Sequence, residues 1–294
     1  MSTRSGFVAL AGRPNAGKST LLNRVVGDKV AIVSNKPQTT RRAIRGIATR
    51  EDWQLILVDL PGVQRPRDPL TERMQRRMEH ELGEADAVLF VLNGEQAVGA
   101  GDRFIARAIA AARVKPVIAV NKIDVLDRAR TLAALQSADD LGLDADVFPV
   151  SALTGAGLDE LVEGLVALLP AGEFLYPPAD HTDLPESVRL AELVREQVLA
   201  RTRQELPHAV EVEIADMEER EDGLLVVVMR IWAETESQKG ILVGTAGTMV
   251  REIGIGARAE IERLTGRRVH LDLSVRVRRG WRRDESLLDR LGIE

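Results

Sequence analysis

Up to about residue 170, short apolar runs alternate with stretches of helical period. "FVALAG" (7–12), "LILVDLPG" (55–62), "AVLFVLNG" (87–94), "PVIAVNKID" (116–124) and "VFPVSA" (147–152) are apolar nearly throughout. Runs without polar alternation fit strands buried on both faces of a parallel sheet. Each ends in Gly, Pro, Asn, Asp or Ser, where a strand gives way to a loop. "LTERMQRRMEHEL" and "DRFIARAIAAAR" between them carry helical periodicity. Together they predict an α/β doubly wound domain over residues 1–170, mostly parallel, with ligands at the carboxyl ends of its strands.

The pattern breaks at the proline-rich "LLPAGEFLYPPADHTDLPES" (168–187), read as a linker over 171–187. Residues 188–294 form a second unit: helix "VRLAELVREQVLARTRQ", strands "AVEVEIADMEE" and "GLLVVVMRIWAE", helices around 239–265, then strand "VHLDLSVRV". In that last strand Val269, Leu271, Leu273, Val275 and Val277 share one face, and His270, Asp272, Ser274 and Arg276 the other. Such alternation predicts a half-buried strand over a helical layer. Gly254 and Gly256 inside "TMVREIGIGARAEIERL" predict that the helix terminates there. The second unit reads as α+β.

Bulk properties narrow the function. A length of 294 residues favours two domains. The net charge of −5 means that any nucleic-acid surface is local. With no cysteine, disulfides and Cys-based zinc or redox sites are excluded. Histidines 80, 181, 208 and 270 have no metal-ligand spacing, and 3 % aromatics argues against an aromatic base-stacking sheet. The N-terminal apolar stretch is short for a signal peptide, and no run approaches the ~18 apolar residues of a membrane helix. A soluble, cytosolic chain is the expectation.

"GRPNAGKS" (12–19) follows the first strand and opens a helix, the context of a P-loop. Gly12 and Gly17 let the backbone curl so that its N–H groups face phosphate, and Asn15 and Ala16 between them are expected nucleotide contacts. Lys18 is expected to neutralise the β/γ oxygens, Ser19 to ligate Mg²⁺, and Thr20 to follow it in the helix. In "DLPG" (59–62), Asp59 is expected to serve Mg²⁺ and the Gly62 N–H the γ-phosphate. In "NKID" (121–124), Asp124 accepts from both N–H groups that guanine offers, Asn121 braces the loop, and the Lys122 stem lies over the base. "SAL", Ser151, Ala152 and Leu153, brings the Ala152 N–H to a guanine carbonyl. Between P-loop and DLPG lies "VSNKPQTTRRAIRG", where Thr40 is expected to complete Mg²⁺ coordination with Thr39 supporting it, the order–disorder switch of GTPases. Lys18, Thr40, Asp59 and Gly62 are the expected catalytic set. ATPase and dinucleotide readings lose, because an ATPase has no use for Asp124 and G-x-G-x-x-G is missing from the first turn.

A second Gly-rich turn, "GTAG" (244–247), precedes a helix in the C-terminal unit. From Lys239 to Arg283 there are 11 Lys/Arg against 4 Asp/Glu. "GRPNAGKS", "KPQTTRR", "DLPG", "NKID" and "SAL", followed by "ESQKGILVGTAG" and "HLDLSVRVRRGW", resemble the Era family of bacterial GTPases over essentially the whole chain. The resemblance implies a Ras-like GTPase domain joined to a type II KH domain. A KH G-x-x-G turn clamps about four single-stranded nucleotides. Lys239, Gly240, Gly244, Thr245, Ala246, Gly247, Arg251, Arg276, Arg278 and Arg279 are then the expected RNA contacts. The family carries a basic residue inside G-x-x-G where this chain has Thr245 and Ala246, and D-T-P-G where it has Leu60.

The resemblance further implies binding of the 3′ end of 16S rRNA, maturation of the 30S subunit, peripheral association with the inner membrane and a monomeric chain. It also implies that Asn15 ligates K⁺ where other GTPases use an arginine finger. Val63 stands where Ras-like enzymes place a water-orienting Gln, so slow intrinsic hydrolysis is expected. Two other readings stay open: an RNA-modification GTPase, for which the chain has no second catalytic constellation, and an RNA-binding protein whose nucleotide only stabilises the fold.

Overall fold

The computed structural model describes residues 3–36, 39–61, 68–203, 206 and 209–293. The chain divides into two compact units: Met1–Arg67 with Thr71–Asp183, and Asp68–Leu70 with Leu184–Glu294. The break after Asp183 falls inside the stretch expected as linker, and most of that stretch belongs to the first unit.

In the first unit, β1 (Arg4–Ala11), α1 (Lys18–Val26), β2 (Ile44–Thr49), β3 (Trp53–Asp59), α2 (Pro69–Glu84), β4 (Ala87–Asn93), α3 (Ala100–Ala112), β5 (Lys115–Asn121), α4 (Arg128–Asp139), β6 (Asp146–Pro149) and α5 (Leu158–Leu168) follow in order. The sheet order is β2-β3-β1-β4-β5-β6, parallel except for β2 against β3. Val8, Leu10, Leu55, Leu57, Val88 and Phe90 are fully buried, as strands covered on both faces require. Because five strands run the same way, their carboxyl ends meet at one edge. Leu10 pairs with Asp59, and Asn93 with Asn121.

"IRGIAT", which carries no strand signal in the sequence, is the edge strand β2. Its Gly46 explains the weak signal. A Cβ there would lie 2.6 Å from Leu22 Cδ2, so the α1 side chains occupy the space a β-former would need.

The second unit runs α6 (Glu186–Arg201), β7 (Glu211–Glu219), β8 (Leu224–Ala233), α7 (Glu236–Val243), α8 (Thr248–Thr265), β9 (Arg268–Val277) and α9 (Glu285–Arg290). β8 pairs antiparallel with β7 and parallel with β9. Leu190, Val194 and Val198 of α6 meet Ile253, Ala257 and Ile261 of α8 over Val227, Met229 and Ile231 of β8. This αββααβ order is the type II KH fold.

The expected helix end at Gly254 and Gly256 is wrong, since α8 continues through both. A Cβ on Gly256 would lie 2.4 Å from Gln197 Oε1 of α6. These glycines allow close helix packing, and burial of Ile253, Ala257 and Ile261 at four-residue spacing outweighs their poor helix propensity.

Candidate nucleotide and RNA sites

Between β1 and α1 the backbone turns so tightly that side chains are excluded. A Cβ on Gly12 would lie 2.5 Å from the Val91 carbonyl oxygen, and one on Gly17, where φ is +99°, 2.2 Å from Asn121 Nδ2. α1 begins at Lys18, so its first N–H groups, which have no partner inside the helix, face the turn. Lys18 is buried and donates from Nζ to the carbonyls of Gly12 (3.1 Å) and Arg13 (3.4 Å).

Three elements bring the expected metal ligands together. Ser19 Oγ donates to Asp59 Oδ2 at 2.5 Å, Thr40 Oγ1 donates to the same oxygen at 3.0 Å, and the two hydroxyls are 3.4 Å apart. Asp59 is fully buried, and its Oδ1 has no hydrogen-bond partner among the described residues. Burial pushes the Asp59 carboxyl up, against the Coulomb pull of Lys18 and the bonds from Ser19 and Thr40. Burial likewise pushes the Lys18 ammonium down, partly offset by Asp59. A desolvated carboxylate with an unmatched oxygen beside a desolvated ammonium fits a hard divalent cation next to a polyphosphate. The described residues hold no group of three His, Cys, Asp or Glu able to take a metal.

Asn121 ties the remaining loops together. Its Nδ2 donates to the Ala16 carbonyl (2.8 Å), and its Oδ1 accepts from Lys122 N (2.8 Å) and Ala152 N (2.9 Å). Ser151 Oγ donates to Asp124 Oδ1 at 2.6 Å, fixing the carboxylate expected to read guanine. The Ala152 N–H, expected to be aimed at a guanine carbonyl, is instead held by Asn121, because the loop closes back on the P-loop. Leu153 is 73 % exposed. Lys122 pairs with Glu95 at 2.8 Å and lines the same cavity as Asn15, Thr20 and Thr40. Thr39 is buried, and its hydroxyl donates to the Lys36 carbonyl at 2.6 Å, so it shapes the switch loop and leaves the metal position to Thr40. Asn15 Nδ2 donates to the Asn35 carbonyl at 2.8 Å. Gly62, Val63 and Gln64 lie outside the described residues.

Sequence patterns miss Arg13 and Asn35. The Arg13 guanidinium pairs with the buried Asp102 at 3.0 Å, and Asp102 also accepts from Gly99 N, so α3 anchors the P-loop. No spacing rule joins residues 89 positions apart. Asn35 contributes a backbone carbonyl, to which side-chain patterns are blind.

In the second unit, α7 ends at Gly244, where a Cβ would lie 2.8 Å from Met249 N. Ala246 (φ 52°) and Gly247 (φ 78°) are left-handed, and α8 begins at Thr248. This turn presents the exposed Thr245 and Ala246 at a helix N-terminus, the form of a phosphate clamp. Gly240 is exposed and open above its Cα, and Arg251 is exposed in the first turn of α8. Lys239 is half-buried, 3.8 Å from Glu236.

The arginines do not all gather at the turn. The Arg278 N–H donates to the Ala233 carbonyl, which fixes it at the opposite end of α7, about 12 Å away at 1.5 Å per residue. Its side chain pairs with Asp284 and lies over the Trp232 ring. Arg276 and Arg279 are exposed.

A Ras-like P-loop unit that carries the NKID loop, followed by a KH unit, defines a GTPase of the RNA-binding class. A family model described as a 50S ribosome-binding GTPase matches residues 7–122, and a KH domain model matches 205–282. GTPase Era of Mycolicibacterium paratuberculosis is 46 % identical with 98 % of each chain covered, and that of Carboxydothermus hydrogenoformans is 43 % identical over 99 % of this chain and 98 % of its own. The chain belongs to the Era family of GTPases. Two solved Era structures superpose with TM-score 0.95 at 35 % identity over 99 % of each chain. One is a single-residue variant of Aquifex aeolicus Era bound to GDP·AlF₄⁻, and the other is Era with MgGDPNP and nucleotides 1506–1542 of 16S ribosomal RNA. As a member of this family the chain is a GTP hydrolase.

Proposed function

We propose that this GTPase binds the 3′ end of 16S ribosomal RNA through the GTAG turn and uses its nucleotide cycle in maturation of the 30S subunit. The observation that carries this is the second phosphate cradle: a left-handed G-x-x-G turn at a helix N-terminus in a chain whose P-loop already serves GTP. An Era relative in complex with that RNA segment supports the choice of RNA.

In the GTPase unit, Lys18 draws negative charge from the β/γ oxygens, and the N–H groups opening α1 stabilise charge on the transferring phosphoryl group. Ser19, Thr40 and Asp59 are the side chains that would hold Mg²⁺, which when bound neutralises charge on the phosphate oxygens. Thr40 closes the switch loop over that position, while Asp124, braced by Ser151, reads guanine. Gly12, Ala16, Gly17 and Thr20 form the cradle, and the Gly62 N–H is assigned to the γ-phosphate. Lys122 covers the base, and Ala152 and Leu153 bound the guanine pocket.

Asn15, bonded to the switch-loop carbonyl of Asn35, is the residue that would hold K⁺. Turnover in KCl is expected to exceed that in NaCl about tenfold, the size of effect a positioned cation at the transferring phosphoryl group can supply, with the difference lost in Asn15→Ala. Equal rates in the two salts for the unaltered protein would remove Asn15 from the role. The protein is expected to act as a cytoplasmic monomer. The peripheral inner-membrane contact implied by the family has weak support, because Arg73, Arg76 and Arg77 on α2 alternate with Glu72, Glu79 and Glu81.

RNA binding is tested by titrating fluorescent RNA from the 3′ end of 16S rRNA at two salt concentrations. Gly244→Asp adds a carboxylate to the clamp and a Cβ where Met249 N stands, and is expected to weaken binding about tenfold or more with GTP hydrolysis unchanged. Arg251→Ala is expected to lower the salt slope by about one unit, as loss of one phosphate contact does. RNA affinity indifferent to both substitutions would sink the clamp.

A further inference from the structure

The stretch that reads as a free linker is bonded along its length to the GTPase unit. Gly172 N donates to the Thr3 carbonyl, the Gly172 carbonyl accepts from Thr3 Oγ1, and Ser5 N donates to the Pro170 carbonyl. Gln54 of β3, fully buried, spends its whole side-chain amide on this arrangement. Its Oε1 accepts from Leu175 N (2.8 Å) and Tyr176 N (2.9 Å), and its Nε2 donates to the Tyr176 carbonyl (2.8 Å) and Thr49 Oγ1 (3.0 Å). The chain then runs beside the edge strand β2. Ile47 N donates to the His181 carbonyl (2.8 Å), and Thr182 Oγ1 donates to the Arg45 carbonyl (2.7 Å). An edge strand has unpaired backbone groups, and this segment takes two of them.

Two of the side chains that hold the segment, Arg45 and Asp28, flank the switch loop. Arg45 is the second residue of β2, just after the switch loop. It binds Asp183 at 3.0 Å from one nitrogen and Glu81 of α2, the helix that follows DLPG, at 3.4 Å from another. Asp183 also accepts from Tyr176 Oη at 3.0 Å. At the other end of the switch loop, Asp28 meets His181 Nδ1 at 3.3 Å. The linker is thus fastened at both roots of the loop that carries Asn35 and Thr40, in a structure where Thr40 is closed onto Ser19 and Asp59.

We propose that residues 173–183 are a nucleotide-responsive strap, docked on Gln54, Arg45 and Asp28 when the switch loop is closed and released when it opens. The inference rests on the GTPase reading of the site. Docked, Leu184 and Pro185 alone separate the strap from α6; released, residues 173–185 join the GTPase unit to α6, roughly 20 Å in root-mean-square length for a flexible chain. The GTP state therefore shortens the tether of the RNA unit, and hydrolysis lengthens it. Single exposed ion pairs are weak, so the device depends on several such contacts being made or lost together.

Hydrogen–deuterium exchange on the full chain, with GDP and with a non-hydrolysable GTP analogue, tests this. Peptides covering 173–183 are expected to exchange about tenfold more slowly in the analogue form, the protection that local docking gives. Asp183→Asn, and independently Gln54→Leu, are expected to raise analogue-form exchange to the level of the GDP form with guanine-nucleotide affinity kept. Peptides over residues 12–20 report occupancy of the P-loop. Protection there, with 173–183 exchanging equally in both forms or with the difference surviving both substitutions, overturns the strap alone. No protection of 12–20 by either nucleotide overturns the nucleotide reading and the strap with it.

Discussion

Asp124→Asn is expected to exchange guanine for xanthine. In the proposed site the carboxylate accepts from two N–H groups on guanine, and Ser151 Oγ holds it at 2.6 Å. An amide offers one acceptor and one donor, which turns the second contact into a clash of N–H groups. A site built to hydrogen-bond one pattern rejects another by roughly 10⁴-fold. GDP affinity is expected to fall at least about 10³-fold, or about 4 kcal/mol, while xanthosine diphosphate, with a carbonyl in place of the exocyclic amine, binds more tightly to the variant than to the unaltered protein. Competition titrations with the two nucleotides measure both. A variant that kept guanine selectivity would move base recognition away from Asp124.

The second large effect is expected at Lys18. Its ammonium is buried and turned onto the carbonyls of Gly12 and Arg13, a costly place for a charge without phosphate. Lys18→Ala removes the P-loop cation proposed to meet the β/γ oxygens. Hydrolysis is expected to fall by about 10²–10³-fold or more, as when a single preorganised donor is lost from a transition state. Thermal unfolding separates lost binding from lost fold. At GDP concentrations of about 100 Kd, bound nucleotide stabilises by about 2.7 kcal/mol, which for a domain of this size raises Tm by roughly 5–10 °C. That rise is expected to vanish in Lys18→Ala, with the nucleotide-free Tm within a few degrees of the parent. A full GDP-induced rise in the variant would contradict the role.

Much of the candidate site's geometry was legible because a parallel sheet turns local words into a shared edge. "GRPNAGKS", "DLPG", "NKID" and "SAL" each sit where an apolar run ends, and pairing of the strands brings Ser19, Asp59, Asn121 and Ser151 together. Contacts carried by the backbone or by partners distant in sequence could not be read the same way. The Ala152 N–H is held by Asn121, and Arg13 leans on Asp102. Arg278 carries a charge that looks available in "RVRRGW", yet it is spent on Asp284 and Trp232.

In the fold, β2 escaped notice because Arg45 and Gly46 interrupt a six-residue edge strand. α4 has few apolar positions and buries only Ala138. The glycines of α8 read as a stop because their packing partners, Gln197 and Leu273, lie on other elements. Residues 172–183 read as a linker because an extended segment held by side-chain amides and ion pairs has no period to detect.

The claim that joins the two units is that guanine nucleotide controls RNA affinity, and RNA titration of the GDP and GTP-analogue forms tests it most directly. Affinity for 16S 3′-end RNA is expected to be about tenfold tighter or more in the analogue form, within the range of ordinary allosteric coupling. By the same linkage, RNA tightens the analogue by an equal factor. Equal RNA affinity in the two forms, with nucleotide bound in both, would contradict it and leave two independent phosphate sites on one chain.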